Sequence, residues 1–316
     1  MKRKIEVRKN RKVRRIVFTA VNLAIPLTIL LYLWTYSAER GAHCVPDYPM
    51  EDISLYLTKE VLTPDEYEFL FRQTGVTRPG IDALRRENRM TELLPVQHRF
   101  FQKVVVECER NFLLFREVLK EPEVEMERKL VSSGQWTNSR GENAEHLRQR
   151  NEEKEELEGN NRFIPVLEDG DILITFNSHF LGWRNGHAAM VVDAEKGLTL
   201  EAITLGEDSA IMSVKSWAKR PSFTVLRLAG VDKEIRKQIA EYAQTTLKNL
   251  PYSLTAGIWK EKEELVGTHC AHLIWYAYQQ FGYNLDSDGG VLVTPRDIYD
   301  SPLLEVVQVY GMDLKF

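Results

Sequence analysis

Hydrophobic and polar positions divide the chain into stretches of different rhythm. Residues 16–34, IVFTAVNLAIPLTILLYLW, carry no charge and interrupt their apolar run only with Thr, Asn and Pro. At 1.5 Å of rise per residue such a run crosses the hydrocarbon core of a bilayer. It predicts one transmembrane helix over 16–36, with Trp34 and Tyr36 at the far interface. The next region, 37–131, reads as mostly helical. In LTPDEYEFLFRQTG, Thr63 is an N-cap, Pro64 suits the first helical position, Glu66 closes a capping box and Gly75 supplies the stop. The following LLPVQHRFFQKVVVECERNFLLFREVL is too rich in Val and Phe for a single period, and part of it is expected as strand. Over 132–162 charge replaces apolar periodicity, the mark of a linker or a solvated helix.

After residue 163 the rhythm shortens. GDILITFN, GHAAMVVD, GLTLEAI and FTVLRLA each have the length and β-branched content of a strand. Asp232 to Leu247 places Ile235, Ile239 and Tyr242 on one helical stripe. CAHLIWYAYQQFG reads as a buried helix closed by Gly282.

Charge gives the apolar run a direction. Residues 1–15 hold nine Lys or Arg against Glu6, and with a net charge of −4 overall the remainder of the chain sums to −12. Cations ahead of an apolar segment keep the N-terminus cytoplasmic, so 1–15 is a basic tail and the rest is exported to the outer side of the cell membrane. A cleaved signal peptide would need a shorter core and a small-x-small site, which TYSAERGAHC does not offer. Because the cations sit on a tail and not on a folded face, nucleic acid is not the expected partner. Three cysteines leave at least one thiol unpaired; Cys44 and Cys108 are either inert or paired with each other.

Cys270 has the most chemically suggestive surroundings. It follows the loop-like Gly267 and Thr268 and opens an apolar helix, where unpaired N–H groups and the helix dipole favour a thiolate. The same N–H groups can stabilise an oxyanion. His187, between Gly186 and a strand of small residues, is the candidate base. Glu201 is an acid within an apolar strand, which reads either as the group that orients the histidine or as a solvent-facing strand position. In SHFLGWRNGH, His179, Trp183 and Arg184 are candidate cleft residues; Arg184 could bind a carboxylate, and the plainer reading is a loop that packs Trp183. Tyr252 is a candidate substrate contact or a packing residue. His269 and His272 flank Cys270, yet no CxxC or HExxH accompanies them, and LDSDGG at 285–290 lacks the full calcium-loop series. No metal and no cofactor is therefore expected.

The order GDILI, GHAAMVVD, TLEAI, THCAHLIWYAY and VTPRDIYDSP resembles the circularly permuted branch of the NlpC-type papain-like hydrolases, the YiiX-like amidases, with lecithin retinol acyltransferase more distant. The likeness runs from about Pro165 to Phe316. It implies an α+β domain over 163–316, with a small antiparallel sheet or barrel packed on helices. It also implies Cys270 as nucleophile, His187 as base and Glu201 as orienting residue. Where the family commonly has Ser after the cysteine, this chain has Ala271 and then His272. The expected activity is that of a cysteine hydrolase, an amidase or peptidase acting on cell-wall peptide. A lipid amidase or acyltransferase and an inactive binding module are the alternatives.

Overall fold

The computed structural model describes residues 24, 27–29, 43–104, 106–110, 114–119, 163–180, 185–258 and 265–312. The segment 16–36, expected to cross a membrane, and the charged stretch 132–162 lie outside these residues, apart from four positions in the former. Among the described residues no helix is long and apolar enough to cross a membrane.

The fold is α+β. Among the described residues from 43 onward, four short α-helices come first: α1 (Ser54–Leu57), α2 (Pro64–Thr74), α3 (Arg78–Arg86) and α4 (Leu93–Phe100). Helix α2 has the expected caps. Thr63 and Glu66 form a reciprocal capping box, and Gly75 closes the helix at φ 72°. The Val- and Phe-rich stretch then splits. Its first part is α4, and the rest is a hairpin of β1 (Val106–Arg110) and β2 (Leu114–Leu119). Beyond it run β3 (Ile172–Thr175), β4 (Ser178–Phe180), β5 (His187–Asp193), β6 (Leu198–Glu201), β7 (Ala210–Ser213), helix α5 (Lys215–Ala218) and β8 (Phe223–Leu228). Helices α6 (Lys233–Thr246), α7 (Cys270–Gln279) and α8 (Pro295–Tyr299) precede β9 (Leu304–Tyr310). Helix α7 ends at Gln279, short of the Gly282 stop expected from sequence. Gly282 instead adopts φ 85° in the turn beyond it.

Six strands form one antiparallel sheet in the order β7-β6-β5-β3-β8-β9, and β1-β2-β4 form a second. The large sheet is buried on both faces. One face packs against the N-terminal helices, where Leu70, Ile81, Leu84 and Leu93 meet Leu173, Ala189, Val225 and Val307. The other packs against α6 and α7, where Ile239, Ala243, Ile274 and Tyr278 meet Ile172, Met190 and Leu226. Alternate residues of β5 therefore serve two cores, which explains why its sequence reads as a continuous apolar run.

Antiparallel pairing brings the start of β5, the end of β6 and the end of β3 to one end of the sheet: Thr175 lies opposite His187, and Glu201 opposite Ala210. The start of β8 and the end of β9 lie at that same end, with Phe223 opposite Tyr310. A buried ion cluster marks the other end. Arg227 donates to both carboxylate oxygens of Asp171 at 2.8 and 2.7 Å and to the Val166 carbonyl at 2.7 Å. Glu168 joins it, 3.2 Å from Arg227 and bonded to Arg236.

Candidate active site

Cys270 is the first residue of α7, and His269 is its N-cap. The His269 side chain accepts from the His272 N–H through Nδ1 at 3.3 Å, and its Nε2 lies 3.3 Å from the Ala256 carbonyl. That leaves the N–H groups of Cys270 and Ala271 directed out of the helix end. One turn on, His272 is fully buried with Nδ1 at 3.0 Å from the Thr268 hydroxyl. Both histidines beside the cysteine thus hold the helix start in place.

His187 enters from the sheet. Gly186 precedes it at φ +74°, where an added Cβ would lie 2.8 Å from the Thr175 carbonyl oxygen. Only glycine takes that turn without strain, so the turn fixes where β5 begins. His187 Nε2 is 2.7 Å from Glu201 Oε2, and the other ring nitrogen is left for Cys270, whose interaction with the ring raises the histidine pKa. Glu201 ends β6 and is 3 % exposed, which removes the solvent-facing alternative. Its second oxygen accepts from the Thr199 hydroxyl at 2.7 Å and from the Trp217 indole N–H at 3.0 Å. Thr199 and Glu201 share a face of β6 by the two-residue strand period. Trp217 comes from α5, fully buried and stacked on His187.

The electrostatics follow from these contacts. Burial pushes the Cys270 thiol up, but its interactions with the nearby His187 and His269 side chains outweigh it and hold the group at about 5. Burial pulls His187 down, while bonds to Cys270 and Glu201 and their charges raise it above the ordinary histidine value. Burial likewise acts to raise Glu201; the bonds from His187, Trp217 and Thr199 bring it to about 2. Each shift favours the charged form of its group: thiolate, imidazolium and carboxylate.

Tyr252 is half-buried, bridged along the backbone to Thr268. Burial raises its hydroxyl pKa, and the charge of Cys270 raises it further, which places the phenol within electrostatic reach of the sulfur. His179 is 1 % exposed and stands opposite Phe115 in the second sheet. Trp183 and Arg184 lie outside the described residues, as does the side chain of Cys108 and with it any Cys44–Cys108 pair. Asp286, Asp288 and Asp297 bring oxygens within 4.8 Å of one another. Each accepts local hydrogen bonds, from Gly289, Gly290 and Thr294 respectively, so the group closes a turn and caps α8. Sequence reasoning missed Trp217, Thr199 and the capping role of His269. Of these only His269 left a local signal, a polar residue just ahead of an apolar helix.

No protein-family model matches the chain, and no curated protein matches it. Among solved structures one likeness stands out. The chain is distantly similar to YiiX. That protein, described as a metalloprotein from Escherichia coli O157:H7, matches at 16 % identity and a TM-score of 0.37, over 44 % of this chain and 96 % of its own.

Proposed function

We propose that this protein is a membrane-anchored, extracytoplasmic thiol hydrolase with a permuted papain-like arrangement of its catalytic groups. One observation carries the reading: a buried cysteine at a helix start lies within interaction range of a buried histidine whose other side is bonded to a buried carboxylate. The Cys270 sulfur attacks an amide or ester carbonyl, forming a C–S bond while the carbonyl oxygen takes the electron pair. The N–H groups at the start of α7 face that oxygen. Collapse breaks the C–N or C–O bond, and His187 gives its proton to the leaving group. Water then attacks the thioester, His187 takes a proton from it, and the thiolate departs. Glu201 holds the ring and stabilises its charged form, as buried orienting carboxylates do.

The acyl group is expected to come from cell-wall peptide. A lipid-borne acyl group is the second reading, favoured by exposed Leu205, Leu254 and Val266 on the segments around Cys270. The test compares the full chain with Cys270→Ala on cell-wall material and on acyl lipids. Products released by the parent chain and not by the variant support the reading. Equal products from both would sink it.

A further inference from the structure

The chain enters the folded body at the end of the sheet that holds the catalytic groups. The Cys44 N–H donates to the Gly311 carbonyl at 2.9 Å, and His43 bonds the Pro221 carbonyl. Gly311 follows the last residue of β9 and Pro221 shortly precedes β8, and both strands present those termini at the His187 end. From β5 to β9 is three strand spacings, about 14 Å. Between Tyr36, where the apolar run ends, and His43 lie only residues 37–42. Fully extended they reach about 25 Å at most.

Exposed apolar side chains stand at that end, on segments that lead to Cys270 or away from Glu201. Segments 205–209, 250–254 and 266–268 run side by side: the Tyr252 N–H donates to the Glu207 carbonyl at 3.1 Å, the Ser253 N–H to Thr268 at 2.8 Å and the Thr268 N–H to Pro251 at 2.9 Å. Each segment carries one large exposed hydrophobic side chain, Leu205 (42 %), Leu254 (42 %) and Val266 (74 %). Thr268 is two residues from Cys270, and Leu205 four from Glu201. Three exposed apolar side chains on adjoining segments mark a contact surface.

We propose that this face rests on the bilayer to which the chain is tethered, so that the catalytic end of the sheet points at the membrane and the Asp193–Leu198 turn points away from it. The short tether and its point of entry select a lipid surface as the occupant. Asp208, exposed within the same face, makes neutral or zwitterionic headgroups the matching ones. This orientation rests on the anchor of the reading above and not on its chemistry.

The test uses the full chain in phosphatidylcholine vesicles, with Cys44→Ser, Cys108→Ser and Cys270→Ala removing the native thiols. A fluorophore is attached at Leu254→Cys, Val266→Cys or Glu195→Cys, the last in the turn at the opposite end of β5, about 20 Å along the strand. With brominated acyl chains, the probes at 254 and 266 lose most of their emission and the probe at 195 keeps it. Equal quenching at all three, stronger quenching at 195, or failure of the chain to float with the vesicles overturns the orientation. Alkylation of Cys270 in the unsubstituted chain is measured in parallel. Quenched probes with an unreactive Cys270 remove the hydrolase reading and leave the orientation; a reactive Cys270 with unquenched probes does the reverse.

Discussion

Trp217 lies nearly parallel to the His187 ring, with centroids 5.7 Å apart and planes 17° apart, and its indole N–H donates to Glu201, the carboxylate that holds that histidine. One side chain therefore shields the imidazole on its face and fixes its partner from the edge.

Removing the indole N–H while keeping an aromatic face separates those two effects. Trp217→Phe is expected to leave a buried carboxylate oxygen one donor short, at a cost of about 1–3 kcal/mol. Glu201 then holds its charge less firmly, His187 moves down and Cys270 moves up. The check is the pH midpoint of Cys270 alkylation, which should rise in Trp217→Phe and in Thr199→Val. A midpoint unchanged in both would reduce Trp217 and Thr199 to packing.

The thiol itself gives the most direct readout. With Cys270 at about 5, iodoacetamide should label it at full rate near pH 6, and labelling should fall only as the pH drops through that value. An ordinary thiol has its midpoint near ~8.5. His187→Ala removes the largest interaction that lowers the thiol and should move the midpoint upward. Because His187 is raised above the usual histidine value, turnover should fall on the alkaline side as the ring loses the proton it gives to the leaving group, completing a bell. A parent-chain midpoint near that of free cysteine would contradict the assignment.

Gly186 is expected to be intolerant of a side chain. Gly186→Ala places a Cβ 2.8 Å from the Thr175 carbonyl oxygen at a φ of +74°. The strain costs on the order of 1 kcal/mol or more, and relieving it displaces His187. Slower alkylation at pH 6 with a folded far-ultraviolet spectrum is the expected result.

Arg227 should matter for stability and not for chemistry. Arg227→Met leaves Asp171 buried without its cation while Glu168 keeps Arg236, and losing one partner of such a pair costs about 3–5 kcal/mol. Denaturant unfolding should show that loss. The cluster stands at the end of the sheet opposite His187, so the alkylation midpoint of the folded fraction should stay where it is.

Much of the candidate site was legible in the sequence because each of its three central groups breaks a local pattern. Cys270 opens an apolar helix, His187 follows a glycine at a strand start, and Glu201 is an acid among apolar strand residues. Their supports break no pattern. Trp217 sits in SVKSWAKR, a short polar stretch whose α5 spans four residues, and nothing in that spacing points toward a residue 16 positions earlier. Strands β7 and β9 also escaped notice, since they stand at the two edges of the large sheet and their burial depends on neighbours far along the chain. The Val- and Phe-rich stretch could not be divided by period alone. Its hairpin of β1 and β2 is extended by β4, some sixty residues later.

By itself the sequence determined the elements whose signals are local: the charged head and apolar run, the capped helix after Thr63, the strand rhythm beyond residue 163, and the three groups able to do thiol chemistry. Local signals suffice there because capping, strand alternation and helix dipoles act within a turn or two. Tertiary structure alone decided that sulfur, imidazole and carboxylate meet at one end of one sheet, that Trp217 and Thr199 hold the carboxylate, and that the chain enters the fold at that same end. Those relations depend on strand order and on which residues share a buried face, and neither is encoded in any short window of the chain.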